Sequence, residues 1–324
     1  MDLMVQMTGP GGVDRLAVVP CALQSPGAGE IRIRHDAIGV NFIDIYFRQG
    51  LYPLPSLPAV LGVEGAGVVE AVGDGVTDIA PGDRVAYAGA PVGAYAATRL
   101  LPRPRAVRLP DTISTHLAAA NMLRGLTAQM LLKRVHSVGP QTTLLVHAAA
   151  GGLGGILVRW AKHLGATVIG TAGSPSKAAI ARGHGADHVI VGRDADVAGQ
   201  ARALTGGRGV DYAIDGIGGD MLLKTLACVR PFGMVASVGQ AAGPIPPLSV
   251  EALGPALSLS LSRPSIMAYS ADPSVYPAAA EDLFAAMALG IVADIGATYP
   301  LAEAARAQAD LKAGRTTGSL LLIP

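Results

Sequence analysis

The sequence predicts an α/β chain: a doubly wound parallel sheet inserted into a β-rich domain. Three observations carry that expectation. Over residues 143–238, apolar runs of strand length alternate with patterns of helical spacing, the arrangement of a parallel sheet with crossover helices. From about Glu30 to Val107 the chain is instead made of short apolar runs divided by glycine and proline, a compact β-rich module. Following that module, Leu144-Leu-Val-His-Ala-Ala-Ala-Gly-Gly-Leu-Gly154 is an apolar run that breaks into a glycine-rich turn and then a helix.

In chain order, the β-rich module holds strands at 31–34, 67–72 and 83–87, with turns at 73–75 and 81–82. Ser114 is placed to cap a helix carrying Leu117 to Met122, and a second helical pattern runs from Leu126 to about Val135. Strands follow at 143–147, 167–171, 188–191, 212–215 and 234–238; Ile156, Leu157, Trp160, Ala161 and Leu164 mark the helix after the first of them. After Ser260 the pattern changes. An alanine-rich helix at 278–289 and a helix at 301–313 lead into a closing strand at 318–323. The simplest assignment gives residues 1–124 and 261–324 to the β-rich domain and 125–260 to the inserted sheet domain.

Composition bounds the function. With 324 residues the chain exceeds the usual size of one core, and 50% hydrophobic against 15% charged residues indicates a compact globular protein. The net charge of +1, without a lysine or arginine run, gives no support to nucleic-acid binding. Cys21 and Cys228 stand far apart, which excludes a disulfide framework and a cysteine-rich zinc site and fits a reducing, cytoplasmic setting. The N-terminal residues do not read as a secretory signal. The apolar stretch 278–293 is interrupted by Glu281 and Asp282, so a core helix is expected there and no membrane span.

The glycine turn points to a dinucleotide. At a helix N-terminus the unpaired N–H groups and the positive end of the dipole favour an anion, and glycine allows close backbone approach, so Ala150, Gly151, Gly152 and Leu153 are expected around a pyrophosphate. The match to G-x-G-x-x-G is imperfect, because Ala149 stands in the first glycine position; a tight connection without a ligand is the alternative. An NAD-selective site places a carboxylate at the end of the second strand, about 20 residues on. Here Ala172-Gly-Ser-Pro-Ser-Lys177 has none. Gly173 and Ser174 offer donors and Lys177 a positive charge, which favours NADPH; Ser174 and Pro175 also suit an ordinary helix start, and both readings hold together. The later strands end in Asp215-Gly-Ile-Gly-Gly219 and Val238-Gly239, so Gly216 and Val238 are expected along the same crevice, with plain loop chemistry as the alternative.

A set of segments carries a resemblance beyond these local readings. Val40-Asn-Phe-Ile-Asp-Ile-Tyr46, Gly50-Leu-Tyr52 with Pro53, Leu61-Gly-Val-Glu-Gly-Ala-Gly67, Pro81-Gly-Asp-Arg-Val85 and Gly125-Leu-Thr127 lie before the glycine turn. His147-Ala-Ala-Ala-Gly-Gly-Leu-Gly154 is the turn itself, and Ser262-Arg-Pro264 and Gly318-Ser-Leu-Leu-Leu-Ile323 follow it. Together they resemble the zinc-independent, zeta-crystallin-like quinone oxidoreductases of the medium-chain dehydrogenase/reductase superfamily, nearly end to end. That resemblance implies a Rossmann domain inserted into a GroES-like β-rich domain, and usually a homodimer.

Where the zinc alcohol dehydrogenases of that superfamily carry Gly-His-Glu, this chain has Gly62-Val63-Glu64, and no cysteine stands near Asn41, so no metal is expected. Hydride transfer without a metal suits an acceptor that is electrophilic unaided. A quinone qualifies; an activated alkene (an enal, enone or enoyl thioester) is the alternative, and a non-catalytic NADPH-binding protein is a third reading. The resemblance maps the active-site cleft onto Asn41, Asp44, Tyr46, Tyr52 and Thr127. Asn41, Tyr46 and Tyr52 are then the expected catalytic residues, Asn41 binding the nicotinamide side or the acceptor carbonyl, the tyrosines stacking on the acceptor or relaying a proton. Core aromatics and a helix cap at Thr127 are the structural alternatives, and His147 is expected to be a packed histidine.

The chain also departs from its relatives. Gly192 stands where they carry a tyrosine against the adenosine end of NADPH, and Arg193 follows it; Arg193 either replaces that stack, pairs with the 2′-phosphate, or is a solvated loop arginine. Gln240 replaces an asparagine near the nicotinamide amide, and Arg315 is a further candidate charge at the crevice.

Overall fold

The computed structural model describes residues 2–255 and 257–324. The chain divides into two compact units, Met1–Leu126 with Ile266–Pro324, and Thr127–Ser265. The first begins with the antiparallel pair β1 (Leu3–Met7) and β2 (Leu16–Pro20), followed by the long strand β3 (Glu30–Val40). Alternation in β3 buries Ile31, Ile33, His35 and Ala37 on one face, while Arg32 and Arg34 turn outward and share Glu70. Helix α1 (Phe42–Arg48) follows directly, then β4 (Ala59–Val60), which pairs with β1, and β5 (Glu64–Val72), β6 (Arg84–Ala88), β7 (Thr98–Pro102) and β8 (Val107–Arg108).

Helix α2 (Thr115–Gln129) starts at Ser114, whose Oγ accepts from the Leu117 N–H at 3.2 Å. The sequence suggests a break between Met122 and Leu126. The structure has none: α2 continues through Gly125 and passes into a π-helical segment, Met130–Val135. The glycine reflects packing, because a Cβ at Gly125 would run into the buried side chain of Leu283. Thr127 therefore lies inside a helix and not at its start.

The second unit is the six-stranded parallel sheet. Its strands are β9 (Thr143–Val146), β10 (Thr167–Ala172), β11 (His188–Val191), β12 (Val210–Asp215), β13 (Val229–Ser237) and β14 (Ser260–Ser262), in the order β11-β10-β9-β12-β13-β14. Helices α3 (Gly152–His163), α4 (Pro175–Gly183), α5 (Val197–Leu204) and α6 (Met221–Leu226) connect them. Leu145, Ile169, Val210, Ala213 and Val235 from the strands bury against Val197, Ala201, Leu222 and Leu226. The strand order reverses between β9 and β12, and a ligand crevice opens beyond the carboxyl ends of the strands at such a point. Strand β14 hydrogen-bonds alongside β13, and this compact unit runs on to Ser265, against the expected boundary at 260.

After Ser265 the chain returns to the first unit through α7 (Ile266–Ala271), α8 (Tyr276–Ala288), β15 (Ile295–Pro300), α9 (Ala304–Lys312) and β16 (Ser319–Ile323). Strand β16 runs antiparallel to β3, completing the sheet β15-β16-β3-β5-β6-β8 with β7 also on β3. This pairing makes the β-rich domain discontinuous. Among the described residues no helix is long and apolar enough to cross a membrane.

Candidate functional site

In the parallel-sheet unit, the glycine turn leaves β9 at His147 and enters α3 at Gly152, with Gly151 as the N-cap. Ala148 is left-handed at φ 50°, and its carbonyl accepts from the Gly151 N–H at 2.8 Å. A Cβ on Gly154 would overlap that same carbonyl oxygen, so the last glycine of the motif is fixed by the tightness of the turn. The first helical bond runs from the Gly155 N–H to the Gly151 carbonyl, which leaves the N–H groups of the first turn without intrahelical acceptors. Ala150 and the Gly151 cap thus lead into Gly152 and Leu153, the first residues of α3, beyond the carboxyl end of β9.

The carboxyl end of β10 leads through Gly173 to Ser174, the N-cap of α4, whose Oγ accepts from the Lys177 N–H at 3.3 Å. Pro175 occupies the first helical position. Gly173 brings Arg193 into this group, since a Cβ there would lie 3.6 Å from Arg193 Cγ and Nε and the arginine stem packs across the glycine. Gly192 has φ +117°, a backbone that a tyrosine would strain, so the departure at 192 has a conformational counterpart.

Across the switch point, Asp215 ends β12 and its Oδ1 accepts from the N–H groups of Ile217 (2.7 Å) and Gly218 (3.0 Å). Gly218 at φ +67° passes against Gln240 Cα, and the Ala241 and Ala242 N–H groups donate to the carbonyls of Gly216 and Ile217. Gly216, Val238 and Gln240 therefore form one pair of packed loops. Arg263 supports them from the side, donating through Nη1 to Ser237 Oγ at 2.7 Å. His147 is buried, with Nδ1 3.2 Å from Thr171 Oγ1 and Nε2 2.8 Å from Thr225 Oγ1; burial lowers its pKa, and both nitrogens are engaged by hydroxyls. Its role is to tie β9 to β10 and α6.

In the β-rich unit, Asn41 caps α1, and its N–H donates to Asp44 Oδ2 at 2.8 Å. Its Nδ2 donates to Glu64 Oε1 at 2.6 Å. Glu64, wholly buried, also accepts from the Leu123 N–H (2.7 Å) and Arg124 Nη1 (3.2 Å). Burial pushes the Glu64 pKa up, and Arg124, Asn41 and Leu123 pull it back. Asp44 is buried as well: Tyr95 donates to its Oδ2 at 3.0 Å, Oδ1 has no partner, and burial pushes its pKa up to about 7. Asp44 thus anchors the first turn of α1. Tyr46 and Tyr52 pack edge to face, with centroids 5.6 Å apart, and the Tyr46 carbonyl accepts from the N–H groups of Leu51 and Tyr52.

The structure gathers Asn41, Tyr46 and Tyr52 at α1 and its exit loop, and the glycine turn, Ser174, Lys177, Arg193, Gly216, Val238 and Gln240 at the carboxyl ends of the parallel strands. Arg315 follows α9 in the β-rich unit. Its guanidinium donates to Asp310 at the end of α9, an anion already in place. Arg124 and Tyr95 were not singled out in the sequence, and Glu64 entered only within the Gly62-Val63-Glu64 comparison, without a role of its own.

The family descriptions that match are an alcohol dehydrogenase GroES-like domain over residues 27–111 and a zinc-binding dehydrogenase over residues 152–285. Among the described residues no group of three histidine, cysteine, aspartate or glutamate side chains is placed to hold a metal ion. The chain is 44% identical to a quinone oxidoreductase of Pseudomonas aeruginosa, over 100% of both chains. It is also 44% identical to a 2-haloacrylate reductase of a Burkholderia species, over 97% of this chain and 96% of that one. The crystal structure of Escherichia coli quinone oxidoreductase complexed with NADPH superposes with a TM-score of 0.96 at 39% identity, covering 99% of this chain and 100% of that one. With its GroES-like domain, its inserted Rossmann sheet and this full-length similarity, the chain belongs to the quinone oxidoreductase family of the medium-chain dehydrogenase/reductase superfamily.

Proposed function

We propose that this chain is an NADPH-dependent quinone oxidoreductase that reduces its acceptor without a metal. The observation that carries the cofactor choice is the end of β10, where Gly173, the Ser174 cap, Lys177 and the Arg193 stem come together and segment 172–177 contains no carboxylate. A 2′-phosphate there meets donors and positive charge. The first turn of α3 suits the pyrophosphate, and Gly216, Val238, Gln240 and Thr127 are assigned to the nicotinamide end. Arg315, in a solvent-facing pair with Asp310, is a further candidate charge for the cofactor.

Bound NADPH supplies the hydride. The chain binds and orients: the Asn41 amide addresses the nicotinamide side or the acceptor carbonyl, while Tyr46 and Tyr52 stack on the acceptor and offer hydroxyl protons. A quinone needs no Lewis acid, because hydride addition and protonation give an aromatic hydroquinone. Full-length similarity to quinone oxidoreductases favours that acceptor, and equal identity to a 2-haloacrylate reductase supports activated alkenes as a second reading. NADPH oxidation followed with quinones, enones and 2-haloacrylate separates the two. Turnover of quinones is expected, and turnover of the alkenes alone would overturn this choice.

The cytoplasm is the proposed location, and a homodimer the proposed assembly. Support for the dimer comes from the family resemblance and from β14, which ends its sheet while Phe232 on the adjoining β13 is 84% exposed. Light scattering of the purified chain should give twice the mass of one chain.

A further inference from the structure

We propose that Glu64 is the positioning residue of this site, fixing the side-chain amide of Asn41 so that one defined edge of it faces the reactants. The inference rests on the reductase reading and deepens it. Glu64 receives three donors: Asn41 Nδ2 and Arg124 Nη1 on Oε1, and the Leu123 N–H on Oε2. Oε1 takes two of these donors, one of them a guanidinium, and hydrogen bonds of this kind favour an acceptor carboxylate. A carboxylate at 2.6 Å can only be met by the N–H end of an amide. Asn41 is therefore held with Nδ2 toward Glu64 and Oδ1 toward the Asp44 N–H of the capping box, so that its second side-chain N–H is the edge left for the reactants.

The main chain around Asn41 is pinned in the same way. Its own N–H is held by Asp44 Oδ2, and Arg124 Nη2 donates to the Val40 carbonyl at 2.6 Å. The space is reserved as well, since a Cβ on Gly39 would overlap Glu64 Oε1. A buried ion pair is a weak device for stability alone, because its desolvation offsets most of the attraction. Here one acceptor lone pair is committed to orienting a side chain at the candidate cleft.

Glu64→Gln isolates the effect without emptying volume. Glutamine brings one oxygen and one NH2 to three donors; if the oxygen stays on the rigid Leu123 N–H, the NH2 faces Asn41, which must rotate to present Oδ1. The test is a double-mutant cycle on NADPH-dependent reduction of 1,4-benzoquinone, with Glu64→Gln, Asn41→Ala and the double variant, each also followed by thermal unfolding. Each single change is expected to lower kcat/KM about tenfold or more, and the double variant to be no slower than Asn41→Ala. Losses that multiply, or an Asn41→Ala enzyme with wild-type turnover, would overturn the proposal.

A second measurement is independent of activity and of the variants' folding. In 15N-labelled wild-type chain one Asn41 side-chain proton should exchange slowly; two rapidly exchanging protons overturn the proposal. A wild-type chain with that protected proton but no quinone turnover would instead count against the reductase reading.

Discussion

Ala149 stands where the strict dinucleotide fingerprint has its first glycine, and the neighbouring strand explains why this is tolerated. A Cβ on Gly170 of β10 would lie 2.8 Å from the Ala149 methyl, so the missing side chain has moved from the turn to the strand beside it. Lys177 lends itself to a direct test. Its place after the Ser174 cap predicts that Lys177→Ala raises the KM for NADPH by about tenfold more than that for NADH, the value of one charge-assisted hydrogen bond. Equal changes for the two cofactors in steady-state kinetics would remove Lys177 from the 2′-phosphate. Such residues were legible because a glycine turn and a helix cap are local chemistry. Glu64 was not, since its partners Asn41 and Arg124 are 23 and 60 positions away and meet it only in the fold.

At the level of elements, the parallel strands were legible because each is a short buried run bounded by turns. Helix α2 was misread for a related reason: glycine at 125 is a poor helix former, and a local reading takes it as an interruption. Packing overrides that propensity, as Gly125 lets α2 approach Leu283 of α8. Gly125→Ala is expected to destabilise the wild-type chain by about 1–2 kcal/mol through overpacking. In a Leu283→Ala background the same change should stabilise by about 1 kcal/mol, because the clash is gone and the helix propensity remains. Urea unfolding of the four proteins checks the sign reversal; an equal cost in both backgrounds would mean that Leu283 is not the obstacle. Strand β15 went unread because its mostly exposed residues, Ile295-Gly-Ala-Thr-Tyr-Pro300, lack a buried run, and its place is set by pairing with β16.

Over the whole molecule, two buried groups make stability follow pH in opposite directions. His35 is buried with Nδ1 2.7 Å from the Ala96 carbonyl and Nε2 2.8 Å from the Tyr87 hydroxyl, and burial, reinforced by the charge of Arg99, holds its pKa down to about 4. Between about 4 and the ordinary 6.5 the unfolded chain binds the extra proton, so the stability carried by neutral His35 is complete above that window and is lost as pH falls through it. Asp44 runs the other way. Its pKa of about 7 against an ordinary 3.8 means that the folded chain keeps a proton which the unfolded chain releases, so this contribution is complete at low pH and is lost as pH rises toward 7. Each displacement corresponds to on the order of 3 kcal/mol across its window, and the opposite signs leave the wild-type chain with a shallow dependence between about pH 4 and 7. Substitution should uncover each slope. Asp44→Asn, which mimics the protonated acid, is expected to lose stability as pH falls over that range, whereas His35→Gln is expected to gain it. Urea midpoints for the three proteins at about pH 4, 5.5 and 7 decide the matter, and three parallel curves would show that neither group titrates differently in the folded chain.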